Sequence, residues 1–109
     1  MSHLIVDGNR VAGLEIAATA RARGKGLLGR EGVDGALLLK PCRHVHSMRM
    51  RFSIDIAHLD KTGTVIAVET LRPNRMARFH RRTRSILEAE GDSFAVWGIT
   101  AGVVISSLD

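Results

Sequence analysis

Cysteine occurs once in this chain of 109 residues, tyrosine not at all, tryptophan once and proline twice. A single thiol cannot close an internal disulfide, which excludes a secreted disulfide framework and fits a reducing compartment. At this length one core can form without a disulfide or a metal as a staple. No apolar run approaches the roughly twenty residues that cross a bilayer as a helix. The opening Met1-Ser2-His3-Leu4-Ile5-Val6-Asp7-Gly8 carries no basic leader ahead of a long apolar stretch, so a single cytoplasmic domain over residues 1–109 is expected. Acidic residues are missing from one segment in particular. Between positions 70 and 87 there is no Asp or Glu, whereas Arg72, Arg75, Arg78, Arg81, Arg82 and Arg84 all lie there. Much of the net charge of +5 is therefore local. A positive potential of this kind attracts phosphate, nucleic acid or an acidic partner, the plainer alternative being a solvated basic loop.

What is present reads mostly as strands. Leu4-Ile5-Val6 and Val11 to Ile16 flank Asp7-Gly8, the dipeptide of a tight hairpin turn;. From Ala17 to Gly29 the apolar spacing lengthens to a helical turn, with Gly29 placed as a C-terminal cap;. Ala36-Leu37-Leu38-Leu39 is a short buried strand stopped by Pro41;. Ile54 to Leu59 and Thr64 to Leu71 are β-branched runs joined by Asp60-Lys61-Thr62-Gly63, a second hairpin;. An arginine-rich loop leads to a strand over Ser85 to Glu90, and Asp92 or Ser93 caps a short helix that ends at Gly98;. Val103 to Ser107 is the last strand. The expected fold is α+β and mostly β, a compact antiparallel, barrel-like sheet with two short helices. Neither a dinucleotide fingerprint nor a P-loop is present, because the glycines around Gly24 and Gly26 have the wrong spacing;.

The chemistry concentrates in Pro41 to Asp55, which holds the cysteine, two of the five histidines, two of the four methionines and three arginines. Read with the period of a strand, Cys42, His44, His46, Met48, Met50 and Phe52 share one face, and Arg43, Val45, Ser47, Arg49 and Arg51 the other;.

The chain also carries, in order, Gly26-Leu27-Leu28-Gly29-Arg30, Leu37 to Cys42, His46, Met50-Arg51-Phe52, Ile54-Asp55, Leu59-Asp60, Gly63, Leu71-Arg72-Pro73, Leu87-Glu88 and Gly91. From about Ala18 to Ile105 this series resembles the bacterial and archaeal family known as domain of unknown function 192. The resemblance implies a small β-rich domain and no activity. It carries over Cys42, His46, Met50 and Asp55, whereas Met48-Arg49, Ser53, His58 and Asn74 depart from the family pattern.

Three kinds of chemistry follow from these residues. Cys42 and His46, with Asp55 to orient the imidazole, are the set that nucleophilic catalysis needs; the plainer reading is a buried cysteine and two structural polar groups. Cys42, His44, His46, Met48 and Met50 offer soft donors to Cu(I) or Zn²⁺, but alternate strand residues lie nearly 7 Å apart, too far to share an ion without a bend. No metal or cofactor is therefore expected. Arg49, Arg51, Arg72 and Arg75 can bind an anion through guanidinium forks. An anionic small molecule or a protein partner is the leading expectation and a Cys/His enzyme the alternative. Nucleic acid ranks third, because the basic residues are not interleaved with aromatics.

Overall fold

The computed structural model describes residues 2–108. Seven strands and two short helices follow one another as β1 (Ser2–Val6), β2 (Asn9–Ala17), α1 (Ala20–Lys25), β3 (Ala36–Leu39), β4 (Ile54–Leu59), β5 (Val65–Leu71), β6 (Ser85–Glu90), α2 (Ser93–Trp97) and β7 (Ile105–Leu108). They form one sheet in the order β5-β4-β6-β3-β2-β1-β7. All neighbours are antiparallel except β2 and β3, which run parallel and are connected through α1. Among the described residues no helix is long and apolar enough to cross a membrane.

Both expected hairpins form. At the first, Asp7 (φ 48°) and Gly8 (φ 87°) supply the two positive φ values of a turn whose twist matches the strands;. At the second, Asp60 Oδ1 accepts the backbone N–H groups of Thr62 (2.8 Å) and Thr64 (3.1 Å), and Gly63 takes φ 84°. The sheet then curls into a half-barrel. Its two outer strands meet at one end, where Val65 N–H donates to Val103 O (2.9 Å) and Ile105 N–H donates to Gly63 O (2.8 Å).

The curl creates an inside and an outside, and both are apolar. Leu4, Val6, Leu14, Ala57, Leu59, Leu87 and Phe94 belong to the inner cluster, while Leu37, Leu39, Ile54, Ile56, Leu71 and Ile86 belong to an outer one. Every residue of β4 is buried as a result.

Three expectations change. The stretch from Cys42 to Phe52 is a loop, not a strand. Met50 N–H turns back to Ser47 O (3.1 Å), and Arg49 sits at φ 63°, which no strand tolerates;. Its buried residues are Val45, Ser47 and Met50, so the predicted face of Cys42, His44, His46, Met48, Met50 and Phe52 does not exist as such. The first helix is shorter than the span Ala17 to Gly29, because Ala17 is still paired with Leu39 in the sheet and Gly26 already ends the helix. Thr19 caps its start, accepting Ala22 N–H at 3.1 Å. The second helix is Ser93–Trp97, but neither Asp92 nor Ser93 caps it through a side chain; Asp55 of β4 does so instead, accepting Phe94 N–H at 3.0 Å.

Gly63 tests the closure of the half-barrel. A β-carbon there would lie 2.6 Å from Ile105 O in a left-handed backbone conformation. Gly63→Ala is expected to cost roughly 2–3 kcal/mol, lowering Tm by about 10 °C or more. Gly8→Ala is the control, since its φ is also positive but its surroundings are open. Thermal unfolding followed by circular dichroism would refute the closure if both variants lose the same amount.

Candidate functional site

The outer apolar face has to be covered, and the loaded loop covers it together with the arginine-rich loop. Ser47 ties the two. Its N–H donates to Arg75 O (2.8 Å), its hydroxyl donates to Arg72 O (2.5 Å), and the same hydroxyl accepts Arg75 N–H (2.9 Å). Asn74 Oδ1 accepts Arg49 N–H (2.9 Å), and His44 Nε2 donates to Ala77 O (2.7 Å). The backbones that carry Arg49, Arg72 and Arg75 are thereby held side by side.

Beneath this cover lies a cavity of about 150 Å³ between the end of α1, the 44–50 loop and the sheet. Met48, Met50, Leu27, Leu28 and Ile54 supply its apolar wall, and Arg23, Lys25, His44 and His46 its polar rim. Glu88 of β6 also lines it. In the sheet register Glu88 stands between Leu37 of β3 and Ile56 of β4, and it is only 3 % exposed. Among the described residues its Oε1 has no hydrogen-bond partner. Burial pushes its carboxyl up to about 7, with Arg30 opposing the rise. Gly26 is what leaves room above it, because a β-carbon there would come within 3.2 Å of Glu88 Oε1.

The predicted catalytic residues are not assembled into a triad. Cys42 is half-buried against the outer cluster, donates its thiol hydrogen to His44 O (3.4 Å), and has its pKa raised by burial. His46 is exposed and spends Nδ1 on its own loop, accepting Met48 N–H (3.1 Å). The Asp55 carboxylate is filled by the Thr70 hydroxyl (2.6 Å) and Phe94 N–H (3.0 Å). Asp55 alternates with Ile54 and Ile56 along β4, which puts it on the opposite face of the sheet from the cavity;. Of the predicted arginines, Arg51 pairs with Glu31 at 3.3 Å. Among the described residues Arg49, Arg72 and Arg75 have no carboxylate partner.

Sequence reasoning has two signals for Glu88, its place in the Leu87-Glu88 pair of the family series and its being an acid within the otherwise apolar Ile86-Leu87-Glu88-Ala89. A strand exposed on one face would display such a residue to water. Glu88 is buried because β6 is covered on both faces, which the local sequence does not state.

A family model described as "Uncharacterized ACR", domain of unknown function 192, matches residues 3–107. The chain belongs to this family. No curated protein matches the family member. Two solved structures share its fold. One is a protein of unknown function from Novosphingobium aromaticivorans, 21% identical with a TM-score of 0.83, the match covering 95% of this chain and 83% of that one. The other, from Sinorhizobium meliloti, bears the description "putative transcription regulator"; it is 19% identical with a TM-score of 0.79, over 97% of this chain and 91% of that one. Identities this low establish the architecture of the domain of unknown function 192 protein and nothing about its ligand.

The buried glutamate makes stability depend on pH in a stated direction. An ordinary glutamate titrates near 4.5 and Glu88 near 7, so the folded state holds this proton more tightly than the unfolded chain does. The stabilisation is full below pH 4.5 and is lost as pH rises toward 7, by up to ~3 kcal/mol. Glu88→Gln is expected to match the parent near pH 4 and to exceed it in urea-unfolding stability near pH 8. An advantage of equal size at both pH values would show that desolvated charge is not the cause.

Proposed function

We propose that the protein is a small-ligand-binding domain whose ligand enters between the end of α1 and the 44–50 loop and presents a hydrogen-bond donor, an amine or a hydroxyl, to Glu88. One observation carries this reading: a nearly fully buried carboxylate with an unpartnered oxygen at the floor of a cavity. A buried polar atom without a partner is costly, and a ligand donor removes the cost at the moment of binding. The thioethers of Met48 and Met50 suit an adaptable contact with the apolar body of such a ligand. Arg23 and Lys25 at the rim supply charge where an acidic group on the same molecule would leave the cavity.

The test is a screen of small amines, amino acids and polyols near pH 7.5, read from the methyl resonances of Met48 and Met50. Binders are expected to shift these methyls, and Glu88→Gln is expected to weaken them at least about tenfold, the order set by a lost charge-assisted hydrogen bond. Failure of the whole library to move the two methyls, or equal binding by the variant, would end this reading.

A second reading has its own support. Arg49, Arg72 and Arg75 lie on adjacent exposed loops without carboxylate partners, close to the exposed Arg51. Such a face fits an anionic molecule or an acidic protein, and the description of the Sinorhizobium meliloti relative adds a duplex to the probes worth using. Binding to heparin or a short duplex is expected to fall steeply between low and near-physiological salt. Arg72→Ala/Arg75→Ala should reduce the logarithmic salt slope on the duplex by about 2. A parent that binds neither polyanion at low salt would leave this face as solvated surface.

A further inference from the structure

A second polar interruption of the outer face lies at the other end of β4. His58 is completely buried, with 0% of its side chain exposed. Its Nδ1 lies 3.1 Å from the hydroxyl of Thr83, which is also fully buried. Among the described residues its Nε2 has no hydrogen-bond partner. The nearest acceptor, Glu69 Oε2 on β5, is 3.7 Å away, beyond hydrogen-bond reach;. The ring of His80 stands edge-on to His58 with centroids 4.5 Å apart. One donor atom from each of His58, Glu69 and His80 falls within 4.8 Å of the other two.

We propose that His58, Glu69 and His80 form a binding site for a first-row divalent cation of the Zn²⁺ type, distinct from the Glu88 cavity.

The supporting bonds are those such a site requires. A ligating imidazole is oriented by a hydrogen bond from its other ring nitrogen; with Nδ1–H donated to Thr83 Oγ1, the Nε2 lone pair of His58 faces Glu69 and His80. Glu69 is held in place, since Oε2, the oxygen that faces His58, also accepts Arg78 N–H at 3.1 Å. The turn closed by Thr83 N–H on His80 O (3.0 Å) delivers both the third ligand and the residue that orients the first. Two imidazoles and one carboxylate suit Zn²⁺, Co²⁺ or Fe²⁺ and do not suit Mg²⁺ or Ca²⁺, which take oxygen ligands. Metal–ligand bonds of about 2.0–2.2 Å put tetrahedral ligands roughly 3.4 Å apart. The His58 to Glu69 separation of 3.7 Å is already close to that, and His80, on the loop before β6 and within 4.8 Å of both, has at most about 1.4 Å to close. Three protein ligands leave a fourth position for water, as at catalytic rather than structural zinc sites.

The plainer account is a long polar contact between a buried histidine and a carboxylate. It leaves Nε2 unpaired, and it gives no role to the second imidazole brought against it. The exposed guanidinium of Arg82 lies on the same loop but is directed to Asp60, 3.8 Å away.

The experiment uses the full chain without an affinity tag, stripped with a chelator and dialysed. Zn²⁺ is titrated calorimetrically, and Co²⁺ is titrated in the visible region. One saturable Zn²⁺ site is expected, with Co²⁺ giving the absorption of a four- or five-coordinate ion and Mg²⁺ failing to displace either. His80→Ala, on a loop outside the sheet, and Glu69→Gln should each weaken Zn²⁺ at least about tenfold, on the order seen when a metal site loses a supporting group. Circular dichroism of each variant should show that the sheet is retained. His46→Ala should leave the affinity unchanged. The proposal is overturned if the parent shows no saturable binding, if both site variants bind like the parent, or if binding is lost in His46→Ala instead.

Discussion

Strands β4 and β6 pair along six residues while burying both of their faces, and this sets the terms for the rest of the chain. One face is covered by the curl of the sheet itself, through the inner cluster that Phe94 and Ile99 complete. The other must be covered by something that is not sheet. At about 25 cal/mol per Å² of apolar surface, Ile54, Ile56, Ile86 and Leu39 cannot remain open to water in a domain of this size. The loops between β3 and β4 and between β5 and β6 supply the cover. Loops carry unpaired backbone groups, and Ser47 answers that need by exchanging hydrogen bonds with the backbone of residues 72, 74 and 75. The arginines of both loops come together because their backbones do.

How much of this the sequence displays depends on the range of the forces involved. The hairpins at Asp7-Gly8 and at Asp60 to Gly63 are legible because turn chemistry is local: a positive φ or a side-chain acceptor two residues back is written in the residues themselves. The 42–52 stretch is misleading for the same reason. Alternating Arg or Ser with His and Met mimics a strand, but Ser47 and Asn74 bind another loop, and that pairing is invisible without the register of β4 and β5. Asp55 looks like the orienting acid of a triad until α2 is placed over the inner face, where Phe94 N–H needs an acceptor. Glu88, His58, Glu69 and His80 are illegible as sites because their meaning comes from which face of which strand ends under which loop.

The two clusters divide the work of the molecule. On the inner side the buried carboxylate, Asp55, is fully bonded to Thr70 and to the start of α2, and its neighbours are aliphatic or aromatic. Among the described residues the buried side-chain atoms without a partner, Glu88 Oε1 and His58 Nε2, both belong to side chains that share the outer face with Ile54, Ile56 and Ile86;. A domain with a total stability of only about 5–15 kcal/mol does not carry two such groups without consequence. If they served stability, apolar residues of similar volume would serve it better, since neither atom has a protein partner to lose. Breaches of local rules concentrate where a protein meets something other than itself. Here they lie beneath loops, which can move aside, and not beneath strands, which cannot. The inner cluster holds the half-barrel together, and on the outer face the buried polar atoms lie under two tied loops, where the proposed ligands would reach them without the sheet having to open.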